Sequence, residues 1–132
     1  MSTIFSKIIN KEIPAHIVAE NDRFLAFLDI MPLKEGHTLV IPKTEVDYIF
    51  DMDDDLLGEM MSFAKEVAHK IKLAIPCKKV GVAVVGLEVA HAHIHLIPIN
   101  KVDDMNFANP KLNLTQDDLK LICEKIVSIT PL

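Results

Sequence analysis

Tryptophan is absent from this 132-residue sequence, tyrosine occurs once, and there are only two cysteines, Cys77 and Cys123. The cysteines are far apart and form no Cys-x-x-Cys pair, so two free, buried thiols in a reducing compartment are expected. No apolar run reaches the ~18 residues needed to span a bilayer. The N-terminal MSTIFSKIINKEIP breaks its apolar residues with Lys7, Lys11 and Glu12, unlike a secretory leader. A cytoplasmic protein with no membrane association is therefore expected. No Lys/Arg stripe occurs, and the net charge is −5 with histidines neutral. That argues against nucleic acid held by its backbone. A small phosphate ligand remains open, because a few local donors suffice to hold it.

What is present is hydrophobic: half of the residues, enough for a real core. The length predicts one domain over residues 1–132. Ile4, Phe5, Ile8 and Ile9 have helical spacing within Thr3–Asn10, a helix limited by Pro14. Strand-like runs follow at His16–Ala19, Phe24–Asp29 and Thr38–Ile41, separated by the turn formers Asn21-Asp22 and Pro32 through Gly36. A long helix is predicted over 54–73, capped by Asp53 and stopped by Pro76. Its stripe Leu56, Met60, Phe63, Val67, Ile71 is widened by Leu57, Met61, Ala64 and Ala68. A face that broad predicts contact with a second subunit. Strands at Val80–Val85 and Val89–Ile99 come next. Last is an amphipathic helix over 116–128, which Thr115 and Asp118 open as a capping box. The order predicts an α+β fold: an antiparallel sheet with a long helix and short flanking helices.

The segment His91-Ala92-His93-Ile94-His95-Leu96 carries the chemistry. On a strand, His91, His93 and His95 share one face, roughly 6.5–7 Å apart along the chain, while Ala92, Ile94 and Leu96 turn into the core. Three readings are open. The face could be solvated and functionless. Alternate histidines could converge on a metal ion, although no carboxylate or thiolate is close in sequence. Or an imidazole could attack phosphorus, splitting one hard displacement into two, while its neighbours donate to phosphate oxygens.

His-x-His-x-His followed by two apolar residues, with x apolar, resembles the signature of the histidine-triad (HIT) family. The resemblance runs further. Thr3–Ile9 with Glu12-Ile13-Pro14 is similar to the family's N-terminal helix. Leu25–Ile30 with Pro32 is similar to its nucleoside strand, and Gly36–Lys43 to the strand after it. Together these segments cover residues 3–99, and the Hint-like branch fits best; residues 100–132 diverge.

The resemblance implies a HIT-like fold and a nucleotide-binding hydrolase or nucleotidyl transferase. Such an enzyme cleaves at the α-phosphate of a nucleoside monophosphate–X substrate, as a phosphoramidase does. It implies His93 as nucleophile through a nucleotidyl-histidine, the His91 carbonyl as the group fixing the His93 tautomer, and His95 and His37 lining the phosphate. It implies Asp29 on the ribose diol, and Phe5, Ile8, Ile13, Phe27, Leu28 and Ile30 around an AMP- or GMP-like base. It further implies a homodimer, no resident metal and no cofactor. A dinucleoside polyphosphate hydrolase and a nucleotide-binding regulatory module are the alternatives. Two departures bear on these. Leu87-Glu88 stands where relatives carry Gln-Ser/Thr, which predicts poor acceleration of basic leaving groups. Thr3 and Ser6 stand where some bacterial members place a zinc-binding Cys-x-x-Cys.

Overall fold

The structure is a computed structural model that describes residues 3–130. Helix α1 spans Ile4–Ile9. Thr3 caps it: its hydroxyl accepts from Ser6 N at 3.1 Å, and the Ser6 hydroxyl accepts from Thr3 N at 2.7 Å. Six residues are too few to form a helix in water; α1 persists because Phe5 and Ile8 are buried on the sheet. Strands β1 (Ile17–Glu20), β2 (Phe24–Leu28), β3 (Thr38–Pro42), β4 (Lys79–Ala83) and β5 (Ile94–Ile99) form one sheet in the order β1-β2-β3-β5-β4, antiparallel throughout.

The sheet is covered on both faces, which explains why β2 and β3 are buried at every position. On one face lie α2 (Asp54–Ala74) and α3 (Gln116–Val127), packed over Phe24, Ala26, Leu28, Val40, Ala92, Ile94 and Leu96. On the other, Phe5 and Ile8 of α1 meet Leu25, Phe27, Leu39 and Ile41. His95 lies between Ile94 and Leu96 and therefore projects to the α1 face, opposite the long helix.

Helix α2 follows the expected stripe: Leu56, Met60, Phe63, Ala64, Val67 and Ile71 are buried, and Asp53 accepts from Leu56 N at 2.8 Å. Its second stripe is partly covered within the chain. Leu57 and Ala68 are partly buried against the core cluster to which Leu119, Ile122 and Ile126 of α3 belong. Met61 stays exposed. Helix α3 begins at the predicted capping box, with Thr115 and Asp118 bonded reciprocally at 3.0 Å.

The strand expected over 89–99 is shorter. Only residues 94–99 join the ladder, and β4 ends at Ala83. Between them the chain leaves the sheet: Gly86 has φ +69°, His91 N donates to the Val89 carbonyl, and Ala92 N donates to the Val46 carbonyl at 2.6 Å. The apolar alternation survives, since Ala92 is still buried with Ile94 and Leu96, but the hydrogen bonds go to a loop. Among the described residues no helix is long and apolar enough to cross a membrane.

Candidate active site

His91 and His93 sit in this irregular segment and only His95 in a strand, so the three do not share one strand face as expected. The departure gives each a separate environment. His91 is wholly buried, and its Nε2 donates to the Pro42 carbonyl at 2.7 Å. Its Nδ1 has no hydrogen-bond partner among the described residues. Burial lowers its pKa, and protonation would bury an unpaired N–H as well. The His91 ring therefore braces the segment, and its backbone carbonyl is what reaches the site.

That carbonyl accepts from His93 Nδ1 at 2.8 Å. A carbonyl only accepts, so His93 Nδ1 carries the proton and Nε2 keeps its lone pair. Phe5 packs edge-on against the His93 ring, centroids 5.0 Å apart, and His95 stands at 5.0 Å from it.

A second chain of bonds fixes His95. Leu33 N donates to His37 Nδ1 at 3.0 Å, so that nitrogen is bare and the neutral ring holds its proton on Nε2. Nε2 lies 2.9 Å from His95 Nδ1 and donates to it. His95 is left with its proton on Nε2. The protein has thus set two neighbouring imidazoles in opposite states, a lone pair on His93 and a donor on His95. Burial, with the neighbouring His95, lowers the pKa of His37 to about 3; burial, with His93, lowers that of His95 to about 4. Both are neutral at neutral pH, as the bonding pattern requires.

Gly36 makes the turn that delivers His37. Its φ is +92°, and an added Cβ would meet Ile75 Cγ1 at 3.0 Å and Pro98 Cγ at 3.2 Å. Only glycine fits both conditions.

Asp29 follows β2. One carboxylate oxygen accepts from Met31 N at 2.9 Å; the other lies 3.6 Å from His37 Nε2, too far for a hydrogen bond. Burial raises its pKa. It also lines a cavity of about 350 Å³ whose wall includes Phe5, Ile8, Ile13, Phe27, Leu28 and Ile30, the apolar positions singled out in the sequence. Asp29 and Phe5 connect this cavity to the histidines.

Four further residues at the site carry no sequence pattern that would have found them. His16 and Gln116 also line the cavity. Phe107 packs edge-on against His95, centroids 4.9 Å apart. Lys111 donates to the Phe107 carbonyl at 2.6 Å, and its charge acts on both Asp29 and His37. These come from the C-terminal segment or face it. Asp104 holds that segment down by accepting from Asn100 N and Lys101 N and pairing with Lys34 at 3.1 Å, while Leu112 N donates to the Pro32 carbonyl. Leu87 is 89% exposed and Glu88 is exposed, so neither side chain supplies a donor to the site.

A scan of protein families matches the HIT domain over residues 10–102. The chain belongs to the HIT family. A HIT-like protein of Borreliella burgdorferi is 39% identical over 131 residues, covering 93% of this chain and 94% of its own length. The adenosine 5'-monophosphoramidase HNT1 of Saccharomyces cerevisiae is 41% identical over 96 residues, 72% of this chain and 61% of the yeast protein. Among solved structures, a HIT-like protein of Bartonella henselae superposes with TM-score 0.83 at 30% identity, covering 96% and 95% of the two chains. A zinc-bound HIT protein of Mycobacterium smegmatis gives TM-score 0.79 at 26% identity, covering 96% and 94%.

Two places in this HIT chain invite a test for metal. At Thr3 and Ser6 the side chains are hydroxyls spent on the helix cap, a poor donor set for zinc. Asp29, His37 and His95 offer three ligand atoms within 4.8 Å of one another. Metal on His37 Nε2 would displace its proton while Nδ1 still accepts from Leu33, leaving an imidazolate. A hydrogen-bonded relay suits these residues better than an ion.

Proposed function

We propose that the chain cleaves nucleoside monophosphate–X substrates at the α-phosphate, through a nucleotidyl intermediate on His93. The observation that carries this is the 2.8 Å bond from His93 Nδ1 to the His91 carbonyl, which leaves Nε2 free for attack. In the first step the Nε2 lone pair bonds to phosphorus, and the P–X bond breaks with its electron pair leaving on X. The imidazole becomes cationic, and the His91 carbonyl stabilises it through the Nδ1 proton. The His95 Nε2–H donates to a phosphate oxygen, and His37 holds His95 in that tautomer. In the second step water bonds to phosphorus, the P–N bond breaks, and the pair returns to Nε2. The water's proton passes to solvent.

The cavity takes the nucleoside, with Asp29 accepting from the ribose hydroxyls and the apolar walls against the base. The yeast relative's phosphoramidase activity makes nucleoside phosphoramidates the first substrates to try. With Leu87 in solvent, substrates whose leaving group needs no proton are expected to react fastest. The test is rapid mixing with a p-nitrophenyl nucleotide ester and a nucleoside phosphoramidate. A burst of leaving group equal to the enzyme concentration is expected with the ester. Hydrolysis of neither substrate would overturn the proposal.

Asp29→Asn is expected to weaken ribonucleotides by roughly 1–3 kcal/mol, the worth of a charged acceptor on a hydroxyl pair. It should weaken 2'-deoxyribonucleotides less. Calorimetric titration of both ligands checks this, and equal losses would remove Asp29 from the ribose.

A homodimer is proposed as well. Val82, Val84, Val85 and Leu87 are all exposed on edge strand β4 and the residues after it, an apolar edge that a second copy would cover. Val82→Glu is expected to convert a dimer to monomers in light scattering. A wild-type chain that scatters as a monomer at micromolar concentration would reject the pairing.

A further inference from the structure

We propose that Lys111, on the segment that crosses the end of the sheet, binds the α-phosphate of the substrate. This rests on the nucleotide reading of the site and adds a phosphate-binding residue to it. A phosphate ester reaches the site carrying negative charge. The bonds from Leu33 through His37 to His95 leave one N–H to receive it, on His95 Nε2, and both of these imidazoles are neutral at neutral pH. Asp29 is a carboxylate, and the charge of Glu88 adds to its own. The exposed Leu87-Glu88 segment supplies no donor. An anion there needs a cation, and among the described residues Lys111 is the lysine or arginine whose charge acts on both Asp29 and His37.

Lys111 lies beyond the residues matched by the HIT domain. Two contacts with different elements place it. The next residue, Leu112, donates its N–H to the Pro32 carbonyl at 2.8 Å, on the loop that runs from Asp29 to His37. Lys111 Nζ itself donates to the Phe107 carbonyl at 2.6 Å and to the Asn109 carbonyl at 3.4 Å. The Phe107 ring stands edge-on to His95 and His37, with centroids 4.9 Å and 6.5 Å away. The ammonium is thus tied at one end to the Asp29–His37 loop and at the other to the residue that packs on His95. An ammonium has three N–H donors. Two are used on carbonyls, and no carboxylate among the described residues pairs with Lys111, so one N–H and the charge remain for an anion. The segment is also braced. Asn109 Nδ2 donates to the Asp103 carbonyl at 2.9 Å, Ala108 N donates to Asn106 Oδ1 at 2.9 Å, and Met105 fills the space over Gly81, where an added Cβ would meet its sulfur at 2.6 Å. A lysine fixed in advance loses less freedom when it binds.

The test is calorimetric binding of adenosine and AMP to wild type, Lys111→Gln, Lys111→Arg and Lys72→Gln. The two ligands differ only in the phosphate. Lys111→Gln removes the charge and keeps an amide donor for the Phe107 carbonyl, and thermal melts confirm that each variant folds. Lys72 is an exposed lysine on α2, across the sheet from the histidines, and reports the general effect of losing one positive charge. Salt at about 0.15 M screens that general effect. Lys111→Gln is expected to weaken AMP about 10-fold, the lower end for a hydrogen bond to a charged group, and to leave adenosine unchanged. Lys111→Arg keeps most of the preference for AMP, and Lys72→Gln keeps all of it. Unchanged AMP affinity in Lys111→Gln would overturn the proposal. So would an equal loss for adenosine, which would make Lys111 a brace for its segment, or an equal loss of AMP in Lys72→Gln. An arginine variant as weak as the glutamine one would show that charge is not what the phosphate meets, and would also overturn it. If wild type binds neither ligand, the nucleotide reading itself fails, and the proposal with it.

Discussion

His93→Ala is expected to lower turnover at least 10³-fold while leaving nucleotide affinity within a few-fold of wild type. The size follows from the mechanism: without the imidazole, water must attack phosphorus directly, and covalent catalysts lose most of their rate with the nucleophile. Affinity survives because the cavity and Asp29 hold the nucleoside, while His93 is not among the residues that line the cavity and packs against it at Phe5. The rest of the relay is expected to stay in place, since His37 and His95 are bonded to each other and to Leu33, not to His93. Steady-state kinetics beside a binding titration separate the two quantities. A variant retaining a tenth of wild-type activity would have lost only ~1.4 kcal/mol, too little for a missing nucleophile.

The buried His37–His95 pair is expected to make the fold acid-sensitive well above the carboxylate range. In the folded chain the two titrate at about 3 and about 4; in the unfolded chain both return to about 6.5. Both folded values lie below the unfolded one, so between about pH 6.5 and pH 4 the unfolded chain binds more protons. The stability from burying two neutral rings is complete above pH 6.5 and is lost progressively as the pH falls. At pH 4.5 the loss is on the order of 3 kcal/mol per histidine. Asp29, whose pKa burial raises, opposes this only at the lower end. Thermal melts from pH 7.5 to 4.5 are expected to show a steadily falling Tm. His37→Leu with His95→Phe removes both titrations, and its Tm should depend less on pH over the same range. An equal slope in both proteins would assign the acid sensitivity elsewhere.

Much of the fold was legible because it depends on local periodicity. The stripe of α2, the Asp53 and Thr115 caps and the three early strands are patterns of near neighbours in sequence. The alternation through residues 91–96 was legible too, but what it meant was not. Ala92, Ile94 and Leu96 are buried as the alternation demands, while the hydrogen bonds of residues 84–93 depart to Val46, Pro42 and Val89, none of which leaves a mark on side-chain pattern. The same limit applies to the site. The resemblance brought Asp29 and the apolar positions to notice, and all of them line one cavity. The 2.9 Å bond between His37 and His95 depends on the β3–β5 register, and the placing of Gln116, Phe107 and Lys111 depends on how the last 30 or so residues cross the sheet's end; no periodicity encodes either. The second stripe of α2 was legible as apolar width, but width alone does not say whether its cover comes from the same chain or another.

The central claim is a covalent bond between the α-phosphorus and His93, and intact-protein mass spectrometry tests it most directly. Wild-type protein mixed with an activated adenylate ester and quenched during the burst is expected to gain the mass of one adenylyl group, and peptide mapping should place it on His93. The adduct should vanish in His93→Ala and persist in Asp29→Asn at saturating substrate. Release of the leaving group by wild type with no adduct at any quench time, or an adduct that remains in His93→Ala, would contradict the account.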